Sequence, residues 1–265
     1  MEKEIEYAPG RGLTVKEILK VSNINKSFGG LQALNDNSFS VRENSITGLI
    51  GPNGSGKTTM FNIITGYERP DSGFIHYNGV DVTKYEPGKV CTLGIGRTFQ
   101  LTRVFGRLNL IENIQVGSSG VPKSMRKEMY SSEKCFELLD SVGLAKFAYE
   151  KAGNLSYGQR KLVELATILA QEPRLILLDE PAGGINPTLI QQMSERIKEL
   201  NRRGISFLVV EHNMEFVMDL CDEIAVMERG SVIAVGKPAD IRANPRVLDA
   251  YLGGSDSDYA VEGKK

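Results

Sequence analysis

One segment constrains the fold of this chain more than any other: residues 51–58 read GPNGSGKT and fit the pattern G-x-x-x-x-G-K-[ST]. An apolar run at 46–50 precedes it, and the helix-like run TTMFNIITG follows its lysine. Glycines let backbone N–H groups converge on phosphate oxygens, and a helix start adds its positive dipole end. A glycine-rich turn without a ligand is the alternative, and the flanking strand and helix argue against it. The segment therefore predicts a strand, a phosphate-binding loop and a helix in succession.

The residue types within this loop predict a nucleoside triphosphate and Mg²⁺ as ligands. Lys57 is expected to neutralise the β- and γ-phosphates, and the Thr58 hydroxyl is expected to bind Mg²⁺. The complete set of candidate ATP contacts in the loop is Gly51, Pro52, Asn53, Gly54, Ser55, Gly56, Lys57, Thr58 and Thr59.

A second candidate site is the apolar run LILL at 175–178, which ends in Asp179 and Glu180. A buried central strand delivers both carboxylates to its C-terminal edge, where ligands bind in open α/β sheets. Asp179 is the candidate for holding Mg²⁺, directly or through water. Glu180 is the candidate general base that polarises an attacking water. The alternative is a pair of solvated acids at a strand end, which the phosphate loop makes less attractive.

Length and composition exclude several other classes of protein. The chain has 265 residues, 41% of them hydrophobic, and a formal net charge of −1. It is too long and too apolar for a disordered tail or a small disulfide scaffold, and it has no bulk charge to attract nucleic acid. Its apolar runs are far shorter than the roughly 20 residues of a membrane-spanning helix. The start MEKEIEYAPG lacks signal-peptide regions and the three cysteines form no CxxC, so we expect reduced thiols in a cytosol.

The order of periodic segments predicts an α/β architecture. Strand-like runs at 18–24, 39–41 and 46–50, with a hairpin turn at Asn78-Gly79, indicate an antiparallel β edge. Residues 122–148 have a helical, charged pattern with an apolar face formed by Met125, Met129, Phe136, Leu139 and Val142. Later, strand-like runs at 175–178 and 207–210 flank a helical stretch, which predicts a parallel crossover. The expected fold is a mainly parallel core sheet with an antiparallel β subdomain and a helical insertion, between flexible ends at 1–16 and 254–265.

A further motif, LSYGQ at 155–159, favours one family among those with a phosphate loop. With Gln100, Asp179-Glu180 and His212 in the same order, it resembles the signature of ABC-type ATPase domains. The resemblance covers about residues 17–253. It implies a single P-loop NTPase domain of ABC type, with a RecA-like core, an antiparallel β lobe and a helical subdomain at about 101–165.

The LSYGQ motif also has a physical interpretation of its own. Ser156 and Gln159 form the pattern S-x-x-Q, a capping box that opens a helix and presents unpaired N–H groups. In the ABC family this helix start binds the γ-phosphate of a nucleotide held by a second ATPase domain. The resemblance therefore implies an in-trans site of Leu155, Ser156, Tyr157, Gly158 and Gln159. Tyr157 stands where the family usually has its first glycine.

The same resemblance implies roles for four isolated residues. Gln100 is expected to sense Mg²⁺ and water and to begin a segment facing the membrane subunit, and His212 to bond the γ-phosphate. Phe28 is expected to stack on adenine, with a core phenylalanine as the alternative. Asn186, with Pro187, is a good helix start and matches the loop through which two ATPase domains communicate, where the family more often carries aspartate.

Finer details narrow the resemblance to one branch of the family. FGGLQAL, GIGRTFQ, AGGINP and VEHNMEFVMDLCD together look like the ATP-binding subunit of a high-affinity branched-chain amino acid importer. An ATPase of a urea or amide importer, of a lipopolysaccharide exporter, or a soluble ABC ATPase remains an alternative. The implied partners are a second ATPase domain (another copy or a related chain), transmembrane permeases and, indirectly, an extracellular solute-binding protein. Nucleic acid is not expected, and the implied location is the cytoplasmic face of the membrane.

Overall fold

A computed structural model describes residues 16–117 and 131–252. Part of the predicted helical stretch, including Met125 and Met129, lies outside these ranges. So do the two ends for which flexibility is predicted, apart from Lys16.

An antiparallel sheet of four strands, which we call the β lobe, is built from the first part of the chain. Its strands are β1 (Glu17–Phe28), β2 (Leu31–Arg42), β4 (Ser72–Tyr77) and β5 (Val80–Asp81), in the order β2-β1-β4-β5. The predicted hairpin turn is confirmed: Asn78 and Gly79 join β4 to β5 with φ of 49° and 80°. Strands β1 and β2 are longer than predicted because their polar ends pair with each other across several register shifts.

The core sheet has six strands in the order β10-β9-β3-β8-β7-β6. They are β3 (Ile46–Ile50), β6 (Ile95–Arg97), β7 (Leu175–Asp179), β8 (Ser206–Val210), β9 (Glu223–Glu228) and β10 (Ser231–Gly236). All neighbours are parallel except β10, which pairs antiparallel with β9. The predicted mainly parallel sheet is confirmed, and β6, β9 and β10 extend it beyond the strands identified in the sequence.

Helices cover this sheet and form a separate helical lobe between β6 and β7. The helices are α1 (Lys57–Ile64), α2 (Pro87–Thr92), α3 (Leu110–Gly117), α4 (Ser132–Ser141), α5 (Tyr157–Leu169), α6 (Pro187–Arg202), α7 (Met214–Leu220), α8 (Pro238–Ala243) and α9 (Pro245–Leu252). Two short 3₁₀ turns, Ala145–Phe147 and Ala152–Asn154, connect α4 to α5. Leu139 and Val142 are buried, and Phe136 packs at the edge of the same core, as the sequence pattern predicts.

Alternate residues of each central strand enter two hydrophobic cores. In β8, Phe207 and Val209 join the core shared with the helical lobe, whereas Leu208 and Val210 join the core under α1 and the β lobe. The strands β3, β7 and β8 have five residues each, and all of these residues are buried. Burial on both faces explains why these strands read as continuous apolar runs instead of alternating ones.

One carboxylate, that of Glu164 on α5, is buried between the helical lobe and the core. Its Oε1 accepts hydrogen bonds from the backbone N–H groups of Phe99 (3.4 Å) and Arg103 (3.3 Å). Its Oε2 has no hydrogen-bond partner among the described residues. Burial raises the pKa of Glu164 to about 7, and the two backbone hydrogen bonds only partly oppose this.

Within residues 16–117 and 131–252, no helix has both the length and the apolar character that crossing a bilayer requires.

Truncation of Phe207 tests how far stability depends on the doubly buried sheet. Phe207 is 0% exposed, and loss of its ring leaves a cavity, so Phe207→Ala should lower the free energy of unfolding by about 3–5 kcal/mol. Phe74 on β4 is 56% exposed, and Phe74→Ala is the matched control with an expected loss near 0.5 kcal/mol, roughly the surface average. Urea denaturation measures both. Equal losses would contradict the burial of Phe207.

The raised pKa of Glu164 predicts a pH-dependent stability. The folded chain binds a proton that the unfolded chain releases, so the contribution of Glu164 to stability falls as pH rises from 4.5 to about 7. Glutamine does not titrate, so Glu164→Gln removes this loss. The effect of the substitution on the free energy of unfolding should therefore be about 3 kcal/mol more stabilising at pH 8 than at pH 4.5. Urea unfolding at both pH values checks this, with the exposed Glu195→Gln as control. If Glu164→Gln changes the free energy of unfolding equally at both pH values, the pKa of Glu164 is not raised.

Candidate functional site

The loop between β3 and α1 has the backbone that its glycines predict. Gly56 precedes α1 with φ of 102°, and a Cβ there would lie 2.8 Å from the Ala33 carbonyl oxygen. Gly51 has φ of 152°, and its Cβ would lie 2.1 Å from the Met227 carbonyl oxygen. Side chains larger than hydrogen are therefore excluded at both positions, and the loop wraps tightly against β2 and β9.

Lys57 folds back over this loop. Its Nζ donates to the carbonyls of Gly51 (2.8 Å) and Pro52 (2.9 Å) and to the Ser55 hydroxyl (3.4 Å). Burial lowers the pKa of Lys57, while the nearby carboxylates of Glu180 and Asp179 oppose that shift. The ammonium group is thus held at the loop and faces the acidic end of β7.

A cavity of about 440 Å³ opens beside the loop. Its lining includes Asn53, Gly54, Gly56, Lys57, Thr58 and Thr59 from the loop and α1, together with Phe28, Glu180 and Arg229. Phe28 lies at the end of β1 and is 45% exposed, so the alternative of a core phenylalanine is wrong. The cavity therefore combines an aromatic ring, the phosphate loop and a carboxylate in one lining.

At the end of β7, the two carboxylates have different surroundings. Asp179 is buried and its Oδ2 forms an ion pair with Arg97 Nη2 at 3.3 Å. Arg97 also donates to Asn62 Oδ1 (2.8 Å) and Thr65 Oγ1 (3.0 Å), so it ties β7 to α1. Burial raises the pKa of Asp179, and the Arg97 guanidinium opposes that shift. Sequence reasoning missed Arg97, because β6 is only three residues long and no periodicity marked this arginine as part of a strand.

Glu180, in contrast, faces the residues predicted to act with it. Gln100 Nε2 donates to Glu180 Oε2 at 3.1 Å, and His212 Nδ1 lies 3.8 Å from Glu180 Oε1. Gln100 follows β6 and His212 follows β8, the two neighbours of β7 in the sheet. Parallel pairing thus brings three residues from distant parts of the sequence to one edge.

The oxygen atoms near this edge of the core sheet are suitable ligands for Mg²⁺. Among the described residues there is no group of three or more His, Cys, Asp or Glu side chains that could hold a metal ion by themselves. Mg²⁺ bound with a nucleotide needs only one or two protein oxygens, because phosphates and waters supply the rest. Asp179, Gln100 and the Thr58 hydroxyl provide oxygens of this kind.

The LSYGQ segment begins α5 with the predicted capping box. Ser156 Oγ accepts from the Gln159 N–H (3.3 Å), and Gln159 Oε1 accepts from the Ser156 N–H (2.9 Å). The Tyr157 hydroxyl donates to the Gln100 carbonyl at 2.7 Å, a contact that a glycine at this position would lack. Gly158 lies against α6, where a Cβ would approach Leu189 Cδ2 to 2.1 Å. Leu155 is buried in the core.

The signature segment, residues 155–159, contributes none of the described lining residues of the cavity, although Tyr157 bonds Gln100 and Gln100 bonds the lining residue Glu180. Of the residues that the structure describes, those lining the cavity come from the β1–β2 region, the phosphate loop, α1, the residue after β7, β8 and the β9–β10 turn, and none is from 155–159. Asn186 also has only a local contact here: its Oδ1 caps α6 by accepting from the Leu189 N–H (2.9 Å), as the sequence predicts.

Comparison with known proteins agrees with this geometry. A family model described as "ABC transporter" matches residues 34–183, and one described as "Branched-chain amino acid ATP-binding cassette transporter" matches 231–257. The chain is 40% identical over 251 residues to the probable branched-chain amino acid transport ATP-binding protein LivG of Archaeoglobus fulgidus, covering 91% of this chain and 98% of the relative. It is 37% identical over 251 residues to the high-affinity branched-chain amino acid transport ATP-binding protein BraF of Pseudomonas aeruginosa, covering 90% and 98%.

Solved structures give the same result. The ADP conformation of MJ1267, an ATP-binding cassette of an ABC transporter, superposes with a TM-score of 0.82 at 36% identity, covering 89% of this chain and 99% of that one. A dimeric post-hydrolysis state of the ATP-binding cassette MJ0796, bound to ADP and Pi, gives 0.71 at 25% identity, covering 83% and 98%. The fold is the ABC ATPase fold, and a relative forms a dimer. This chain is an ATPase and belongs to the branched-chain amino acid (LivG/BraF) family of ABC transporter ATP-binding proteins.

Proposed function

We propose that residues 17–253 form one ATPase domain that drives a branched-chain amino acid importer from the cytoplasmic face of the membrane. The cargo is supported by the names of relatives that match across nine tenths of the chain. The ATPase role is supported above all by the convergence of Gln100, Glu180 and His212 beside the phosphate loop.

ATP binds in the 440 Å³ cavity. Phe28 stacks on the adenine ring, and the loop N–H groups and Lys57 hold the phosphates. The contacts of Lys57 Nζ with the loop carbonyls support this role, because they keep the ammonium group where the phosphates bind. Thr58, Asp179 and Gln100 hold Mg²⁺, which neutralises phosphate charge when bound.

Glu180 acts as the general base in hydrolysis. Its carboxylate accepts a proton from a water whose oxygen attacks the γ-phosphorus, the bond from that phosphorus to the β–γ bridging oxygen breaks, and ADP and inorganic phosphate are released. Gln100 orients the water, and His212 donates a hydrogen bond to the γ-phosphate. The 3.1 Å hydrogen bond from Gln100 and the 3.8 Å approach of His212 support this division of roles. Preorganised positive groups supply most of the stabilisation, because phosphoryl transfer needs charge neutralisation more than covalent help.

The working unit is a head-to-tail pair of ATPase domains. Ser156, Tyr157, Gly158 and Gln159 of one domain complete the nucleotide site of the other, and Asn186 lies in the loop that connects the two sites. The in-trans role is supported by the absence of residues 155–159 from the described lining of the cavity. The other partners are transmembrane permeases that bind near Gln100, which receive solute from an extracellular binding protein.

The cargo is tested by uptake in cells that lack this gene. We expect loss of leucine, isoleucine and valine uptake, recovery with the wild-type chain, and no recovery with Glu180→Gln expressed at the same level. Loss of urea uptake with normal leucine uptake would overturn the proposed cargo but leave the ATPase assignment intact.

Replacement of Glu180 by glutamine tests the general base. Because the amide cannot accept the proton, turnover should fall by about 10²–10⁴-fold while ATP binding is retained. The ATP-bound dimer should then accumulate on size-exclusion chromatography. Phosphate release and equilibrium nucleotide binding are the measurements, and Glu195→Gln on the exposed face of α6 is the matched control. Unchanged turnover at saturating ATP would disprove this role of Glu180.

Replacement of Phe28 tests adenine stacking. Loss of a base-stacking ring costs about 1–3 kcal/mol, so Phe28→Ala should raise the Kd for ATP by about 5–150-fold. Turnover at saturating ATP should change little, because the ring is remote from the γ-phosphate. Phe28→Tyr should restore affinity, and Phe74→Ala, on the same sheet, is the control. An unaltered Kd together with reduced turnover would contradict stacking.

A further inference from the structure

The backbone at Glu180 is in a conformation that needs support from its surroundings. Glu180 has φ of 49°, in the left-handed region that disfavours residues with a Cβ. Its N–H donates to the Val210 carbonyl (2.9 Å), which fixes the residue to β8. Its own carbonyl accepts hydrogen bonds from the Gly183 N–H (3.1 Å) and from Lys161. The direction of the Glu180 side chain therefore depends on what holds residues 180–183, which we call the post-strand loop.

Lys161 holds this loop from the side of α5. Its side chain is buried, and Nζ donates to three backbone carbonyls, those of Glu180, Pro181 (3.4 Å) and Gly183 (2.9 Å). An ammonium group has three N–H donors, and these three carbonyls are hydrogen-bond partners for all of them. The lysine thus acts on the main chain, not on any carboxylate by direct contact.

Glu211 holds the same loop through a hydrogen bond of its own. It is 0% exposed, and its Oε1 accepts from the Ala182 N–H at 2.6 Å. Its Oε2 accepts from the N–H groups of His212 (3.0 Å) and Asn213 (3.1 Å). A buried cation and a buried anion therefore both bond the post-strand loop, and the anion extends the network to His212.

We propose that Lys161 is a positioning residue for Glu180, which fixes the post-strand loop to α5 so that the start of α5 and the Glu180 carboxylate move as one unit. The inference rests on the proposed role of Glu180 as general base. Lys161 lies four residues after Tyr157, one helical turn along α5, and Tyr157 bonds the Gln100 carbonyl. The helix start that meets a partner's nucleotide is thus tied to both Gln100 and Glu180 of its own subunit.

Burial alone does not require a lysine at this position. Removing the Lys161 ammonium group leaves three carbonyls without their donor and takes away a positive charge that compensates the buried Glu211, so a loss of stability alone does not show a positioning role. Glu211 keeps its three N–H donors when Lys161 is changed. The feature that a methionine at 161 cannot supply is the set of hydrogen bonds to the carbonyls of the post-strand loop.

The test compares Lys161→Met, Lys161→Arg and a matched control, Lys198→Met. Lys198 lies on α6 in an exposed ion pair with Asp219. Misplacing a reacting group by about 1 Å costs up to roughly 100-fold in rate, so Lys161→Met should lower kcat by at least tenfold, or about 1.4 kcal/mol in activation free energy. ATP affinity should match that of Lys198→Met, whereas the melting temperature should fall further, because three carbonyls lose their donor and the buried Glu211 loses a compensating charge. Lys161→Arg, which keeps the charge and donors, should recover most of the rate.

A double-mutant cycle separates this proposal from the role of Glu180 itself. If Lys161 acts through Glu180, Lys161→Met should slow single-turnover hydrolysis in the wild type but not further in Glu180→Gln. Equal slowing in both backgrounds, or a parallel loss of ATP affinity, would overturn the positioning role. If the single variant Glu180→Gln hydrolyses ATP at the wild-type rate, that result would instead overturn the proposed role of Glu180 as general base. Should Lys161→Met fail to fold, Lys161→Gln, which keeps two N–H donors without the charge, takes its place in the cycle.

Discussion

The parallel pairing of β3, β8 and β7 is the constraint on which the rest of this protein depends. Parallel neighbours end at the same edge of a sheet, so the phosphate loop after β3, His212 after β8 and Glu180 after β7 meet there. Burial of the three strands on both faces fixes their register, since a slip by one residue would exchange the two hydrophobic cores. The position of these three site elements is thus set by the hydrophobic core and not by the loops alone.

Three buried charged side chains, those of Arg97, Lys161 and Glu211, each hold the main chain or an ionised partner. Arg97 opposes the effect of burial on Asp179 and joins β6, β7 and α1 through its guanidinium group. Lys161 and Glu211 both bond the backbone of the loop that follows Asp179. Such groups add little to stability when desolvation is counted, and each lies beside a residue proposed to act on ATP. Their common property is that they restrict how the site residues can move.

The extent of sequence prediction differed between elements for physical reasons. The run at 46–50 and the S-x-x-Q box gave the bounds of β3 and the start of α5, because apolar burial and capping are local signals. Strands β1 and β2 extend beyond the predicted runs, because their polar ends are held by cross-strand pairing. β6 is only three residues long, too short for periodicity to identify. The role proposed for Lys161 was also out of reach, since its three acceptors are carbonyls about twenty residues away.

By itself, the sequence determined the chemistry of this protein: a glycine loop for phosphate, two acids after a buried strand, and a capped helix start, each encoded by neighbouring residues. It also determined the family, through the order of those motifs. Only the tertiary structure decided how the motifs are connected. In the folded chain, Asp179 pairs with Arg97, and Gln100 and His212 approach Glu180. Tyr157 and Lys161 connect α5 to Gln100 and to Glu180, respectively. These contacts join residues far apart in sequence, and chain order alone does not specify which of them meet.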